Sequence, residues 1–203
     1  MRFSAQVRDA VVQMAEREGI DPAALLAVVE VESAGNPLED NNRTPRFLFE
    51  RHIFYRYLRD HAPDKLPIAV QQGLALPRWD RTIEYKDQAT SKGRRRLLGR
   101  AVKVDEEGAH YSASWGVGQV MGFHAKEIGF KSALEMVQFM EKGGLVAQID
   151  VMVRVIKQLN LVPLINRRAW ASFAKAYNGS GYKQNKYDTK LAAAFQRWQT
   201  QIA

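Results

Sequence analysis

Residues 25–35 read LLAVVEVESAG, the pattern of a helix that runs into a carboxylate. Asp21-Pro22 just before it supplies an N-cap and a proline at the first helical position, and Gly35 supplies a stop. Leu25, Val28, Val29 and Glu32 stand at i, i+3, i+4 and i+7, so they share one helix face. A carboxylate that continues an apolar stripe is poorly solvated, which raises its pKa. It can then hold a proton near neutral pH, as a general acid must. The alternative is a frayed last turn with Glu32 in water. Glu30 lies about 200° around the helix from Glu32, so the two cannot face one cleft together.

Composition narrows the class. The chain has 203 residues, 46% of them hydrophobic and 26% charged, enough for one well-buried core or a domain with an appendage. No apolar run approaches the roughly 20 residues of a membrane span. The opening MRFSAQVRDAVVQMAEREG is an amphipathic helix pattern (Phe3, Val7, Val11, Met14) without the continuous apolar centre of a signal peptide. The expectation is a protein made in the cytoplasm that needs another route to any outside target. The absence of cysteine excludes disulfides, thiolate metal sites and cysteine nucleophiles. Thirty basic against 22 acidic residues give a net charge of +8, a surface suited to nucleic acid, anionic lipid or an anionic cell-wall polymer.

Along the chain, periodicity predicts helices over 4–18, 22–33, 53–58, 68–74, 133–140, 146–159, 168–177 and 187–198, with a further helical pattern at 125–128. A polar helical region spans 83–107 and is expected to break near Gly93. Its charge run, Lys92 to Arg96, reads first as a solvated face. The aromatic stretch RFLFERHIFYRYL (46–58) alternates like a short strand over its first five residues. The expected fold class is mainly α: one globular domain over 1–203, with at most a short irregular β element near 46–50.

Three further stretches bear on chemistry. SWGVGQVMG (114–122) has neither GxGxxG spacing nor a clear preceding strand, so its glycines suit close backbone approach to a substrate better than nucleotide binding. Gln119 there offers both an amide donor and an acceptor, as sugar recognition requires. AKAYNGSGY (174–182) places Tyr177 and Asn178 at a helix end, where they form either a polar cleft wall or a plain C-cap. The four histidines, His52, His61, His110 and His124, show no HExxH or other metal spacing, and a GxSxG elbow is absent. No metal and no cofactor are expected.

Taken in order, these pieces resemble the lysozyme superfamily in its goose-type and lytic-transglycosylase branch. The closer resemblance is to the N-acetylmuramidase family of phage and prophage endolysins. It rests on EVES (30–33), Phe47 to Arg56, Ser112 to His124 and Phe173 to Leu191, and covers roughly residues 5 to 200. The resemblance implies an endolysin that cleaves the β-1,4 bond between N-acetylmuramic acid and N-acetylglucosamine. Glu32 becomes the general acid, with Glu30 as fallback, and Glu50 the likeliest second carboxylate. Ser114, Gln119, Tyr177 and Asn178 would line the sugar cleft, with His52 and Trp115 as weaker candidates. A separate peptidoglycan-binding module, common ahead of the family's catalytic domain, is not expected here. Peptidoglycan is the implied partner, and outer-membrane lipopolysaccharide is a further anionic one. The protein is expected to be a monomer that reaches the periplasm through a holin. Open alternatives are a lytic transglycosylase forming 1,6-anhydromuramic ends, a wall binder without activity, and a basic helical nucleic-acid binder. Against the last, no helix-turn-helix pattern is visible, and no nucleic-acid partner is expected.

Overall fold

The structure, a computed structural model, describes residues 4–32, 37–179, 183 and 186–202. The helix stop expected at Gly35, the family's Ser33 and residues 180–182 of the YNGSGY stretch lie outside the described residues. Ala5–Glu18 (α1) starts where the Ser4 hydroxyl accepts the Val7 N–H and stops at Gly19, whose φ of 67° is open to glycine. Pro22–Glu32 (α2) follows, with the Asp21 carboxylate accepting the Ala24 N–H at 3.1 Å.

α2 is buried on every side: all seven residues from Ala23 to Val29 belong to the core. The single apolar face expected from spacing is thus a helix apolar all round, as central helices are. The helices that enclose it include α1, Val162–Asn166 and Tyr187–Ile202. Between α2 and those last two the chain forms Phe47–Phe49 (β1), Arg51–His61 (α3), Leu66–Gln71 (α4), Arg81–Glu84 (α5), Ser91–Val104 (α6) and Glu106–Tyr111 (α7). Ala113–Trp115 (β2), Val120–Met121 (β3) and Ala133–Gln158 (α8) follow, α8 being broken at Gly144 (φ 62°, ψ −144°). Val162–Asn166 (α9), Trp170–Asn178 (α10) and Tyr187–Ile202 (α11) complete the fold.

The β component is larger than the sequence suggests. β1, β2 and β3 form an antiparallel sheet in that order, pairing Leu48 with Ser114 and Ser114 with Met121. Strands of two or three residues are too short to show alternation, so β2 and β3 could not be read. Phe47, Phe49, Ala113 and Trp115 point into a second core built with α3, α6, α7 and α8. By strand alternation Leu48, Glu50 and Ser114 share the opposite face. Tyr177 packs against both cores, so it marks their seam.

The segment 61–107 is tied to this sheet by buried polar groups. Arg51, 3% exposed, donates to the carbonyls of Gly73 (2.9 Å), Ile83 (3.0 Å) and Glu84, and to Asp87. Gln88 bonds Phe49 in both directions (2.8 and 2.7 Å), so its amide acts as an extra rung along β1. Arg94 is not a solvated member of the charge run: its guanidinium makes two 2.7 Å bonds to buried Glu39. Nor does Gly93 break a helix, since α6 runs through it; a Cβ there would lie 2.2 Å from the Asp87 carbonyl oxygen. Residues 125–128 follow a single 3-10 turn, Gly122–His124, rather than forming the expected helix.

Candidate active site

Glu32 closes α2 and Asn178 closes α10, and the two meet: the Asn178 amide donates to Glu32 Oε1 at 3.3 Å. They line an open cleft of about 200 Å³ with Gly118, Gln119, His124 and Tyr177. Burial pushes the Glu32 carboxyl up to about 7, and the single Asn178 bond offsets this only in part. Glu32 can therefore hold a proton near neutral pH. Beside it Tyr177 is half-buried, and its hydroxyl donates to the Gly118 carbonyl at 3.0 Å. Burial, with the nearby Glu32 charge, pushes that phenol well above its ordinary value, so it acts here as a neutral donor.

The opposite wall is the turn between β2 and β3. Gly116 (φ 69°) and Gln119 (φ 46°) both adopt left-handed backbone, the latter without glycine's freedom. The Gln119 amide offsets part of that strain by donating to the Gly116 carbonyl at 2.9 Å, while its Oε1 accepts the Ser114 hydroxyl at 3.0 Å. Ser114 is itself buried, so it orients Gln119 rather than reaching into the cleft. Gly118 is fixed by close approach: a Cβ there would lie 2.7 Å from Met152 Cγ and 2.8 Å from the Tyr177 hydroxyl oxygen. Gly118→Ala is therefore expected to lower stability by about 1–3 kcal/mol through overpacking. It should also push Tyr177, and with it Asn178, away from Glu32. Urea denaturation read alongside cleavage rate checks both effects.

Glu50 lies one residue beyond β1 on the sheet face shared with Ser114, its Cα about 8 Å from that of Ser114 by strand geometry. The Tyr85 hydroxyl donates to Glu50 Oε1 at 2.9 Å, and His52 Nδ1 stands 3.7 Å from Glu50 Oε2. His52 Nδ1 pairs more closely, at 3.1 Å, with Oε1 of the fully buried Glu84. Burial pushes the Glu50 carboxyl up to about 7; the Tyr85 bond opposes the rise and the Glu84 charge adds to it. Among the described residues, Glu50, His52 and Glu84 are a trio whose ligand-type atoms all lie within 4.8 Å of one another. They are already joined among themselves and to Tyr85, as two carboxylates bridged by an imidazole. His52 thus meets carboxylates, not open cleft.

Two expected candidates are placed elsewhere. Trp115 is 1% exposed, tilted against Phe47 and stacked on His110, with its indole donating to the His110 carbonyl. It is core, because β2 turns odd positions inward. Glu30 accepts the Trp198 indole N–H at 2.7 Å and pairs with Arg197, both on α11. Glu84, Tyr85, His124 and Tyr187 carry no distinguishing signal in the sequence. Glu84 and Tyr85 sit in a polar segment without periodicity, and long-range bonds from Arg51 and His52, together with Gln88, hold them at Glu50. His124 has no metal spacing, though it does line the cleft.

A model of the N-acetylmuramidase family matches residues 21–199 of the chain. The crystal structure of the Burkholderia AP3 phage endolysin superposes with a TM-score of 0.83 at 30% sequence identity, over 97% of this chain and 71% of that one. No protein of curated function matches.

Proposed function

Since this chain belongs to the N-acetylmuramidase family and is a peptidoglycan hydrolase, we propose that Glu32 is its general acid and Glu50 its general base. The observation that carries this reading is Glu32 itself, a carboxyl pushed up to about 7 that lines an open cleft with Gln119, Tyr177 and Asn178. Protonated Glu32 donates to the glycosidic oxygen between N-acetylmuramic acid and N-acetylglucosamine. As that bond breaks, the muramic C1 gains oxocarbenium character. Glu50 takes a proton from a water, whose oxygen bonds to C1 and leaves a reducing muramic end. Gln119 and Asn178 offer amides to the sugar hydroxyl and N-acetyl groups. Glu84 and Tyr85 position Glu50.

The substrate is the cell wall, and the +8 charge suits its anionic phosphates and those of outer-membrane lipopolysaccharide. In this reading the protein works as a monomer in the periplasm and reaches it through a holin. Mass spectrometry of muropeptides released from purified sacculi tests the chemistry. Wild type should yield reducing muramic ends, and Glu50→Gln should slow their release by about 10²-fold or more. Products lighter by one water, with 1,6-anhydro ends, would overturn water activation by Glu50 in favour of attack by the muramic 6-hydroxyl.

A further inference from the structure

The four tryptophans of the chain are Trp79, Trp115, Trp170 and Trp198. Trp115 and Trp198 are buried and Trp170 half-buried, whereas Trp79 is 52% exposed. An indole left in water is costly unless something uses it. Trp79 is also held in place. Asp80, next to it, caps α5 by accepting the Thr82 N–H at 2.8 Å, and α5 is clamped from below by Arg51 through the Ile83 and Glu84 carbonyls. The Trp79 indole N–H faces the Tyr85 hydroxyl, which donates to Glu50. Ile83 and Tyr85, both exposed, extend the apolar surface. The result is an exposed, anchored aromatic ring beside the Tyr85 hydroxyl that bonds the proposed base. A sugar ring presents an apolar C–H face and polar edges, which is what such a ring beside amides and carboxyls accommodates.

We propose that Trp79 is the stacking platform of a saccharide subsite on the Glu50 side of the cleft, taking an N-acetylhexosamine ring of the glycan strand. This rests on the reading of Glu50 as a cleft residue, and it accounts for the 61–107 segment, which carries the platform to the sheet. Because Trp115 and Trp198 are buried and Trp170 is partly covered, acrylamide quenching of intrinsic fluorescence reports mainly on Trp79.

The test uses glycan strands freed of stem peptides, added to the folded Glu32→Gln variant so that they are not consumed. Saturable protection from quenching is expected, and it should vanish in Glu32→Gln carrying Trp79→Phe, where the reporter is gone. In the active enzyme Trp79→Ala should raise KM for these strands about threefold to tenfold with kcat little changed, and Trp79→Phe should restore most of the loss. Quenching unaffected by saturating strands, with wild-type KM in Trp79→Ala, would overturn the platform. A fall in kcat alone would overturn it too, marking Trp79 as a support for Tyr85 and Glu50. Protection reads binding without turnover, so a failure of the acid–base assignment would leave it standing.

Discussion

Glu32→Gln is expected to lower cleavage of sacculi by about 10³-fold or more and, at the same time, to make the folded protein more stable at alkaline pH. The first effect follows, on the proposed assignment, from removing the proton that Glu32 would give to the leaving oxygen. The second follows from burial. Folding raises this carboxyl from 4.5 to about 7, so the folded state binds the proton more tightly than the unfolded chain does. The stabilisation linked to that proton is fully present below pH 4.5, declines as pH rises, and is gone above about 7. At pH 8.5 the ionised Glu32 costs the fold up to about 3 kcal/mol by the usual conversion. The neutral amide avoids that cost while keeping an oxygen for Asn178. Urea denaturation at pH 4 and pH 8.5 measures the difference. A gain confined to the higher pH is expected, and an equal effect at both would sink the burial argument. The wild-type rate should fall as pH rises through about 7, where Glu32 loses its proton. It should also fall on the acid side as Glu50 gains one, giving a bell centred near neutrality.

Arg51→Met is expected to be the most destabilising single change in the 61–107 region and its anchorage. The guanidinium is buried and donates to three carbonyls and to Asp87. A thioether of similar length fills much of the space but donates nothing, so each of those carbonyls loses a charged donor in a poorly hydrated place. The loss should be about 3–5 kcal/mol, the range for breaking a buried charged network by removing one member. For a chain of this size that is a fall in Tm of roughly 10 °C. Activity should drop further than stability at 25 °C explains, because this clamp helps to hold Glu84 and Tyr85 against Glu50. Calorimetry and cleavage rate, measured on the same preparation, separate the two effects. A variant that melts like wild type yet loses activity would assign Arg51 to the chemistry rather than to the scaffold.

The parts of this protein that the sequence discloses are those whose cause is local. α1 and α2 could be bounded from Ser4, Gly19 and Asp21-Pro22 because caps act within three residues. Spacing shows that Glu32 and Glu30 cannot face one cleft together, and the end of an apolar helix implies poor solvation for Glu32; the resemblance to the family then prefers Glu32 over Glu30. The order of EVES, the glycine-rich stretch and the YNG helix end announces the family. What tertiary structure decided depends on residues far apart in the chain. Glu30 is removed from the cleft by Arg197 and Trp198, some 167 positions away. Trp115 becomes core and Ser114 an orienting group because β2, too short to show a period, pairs with β1 on one side and with the equally short β3 on the other. Tyr85 meets Glu50 across 35 positions, and a buried arginine helps to hold it there. Caps and periodicity are written in neighbouring residues. The protonation and company of Glu50 come instead from desolvation and hydrogen bonds that exist only once the chain has closed around them.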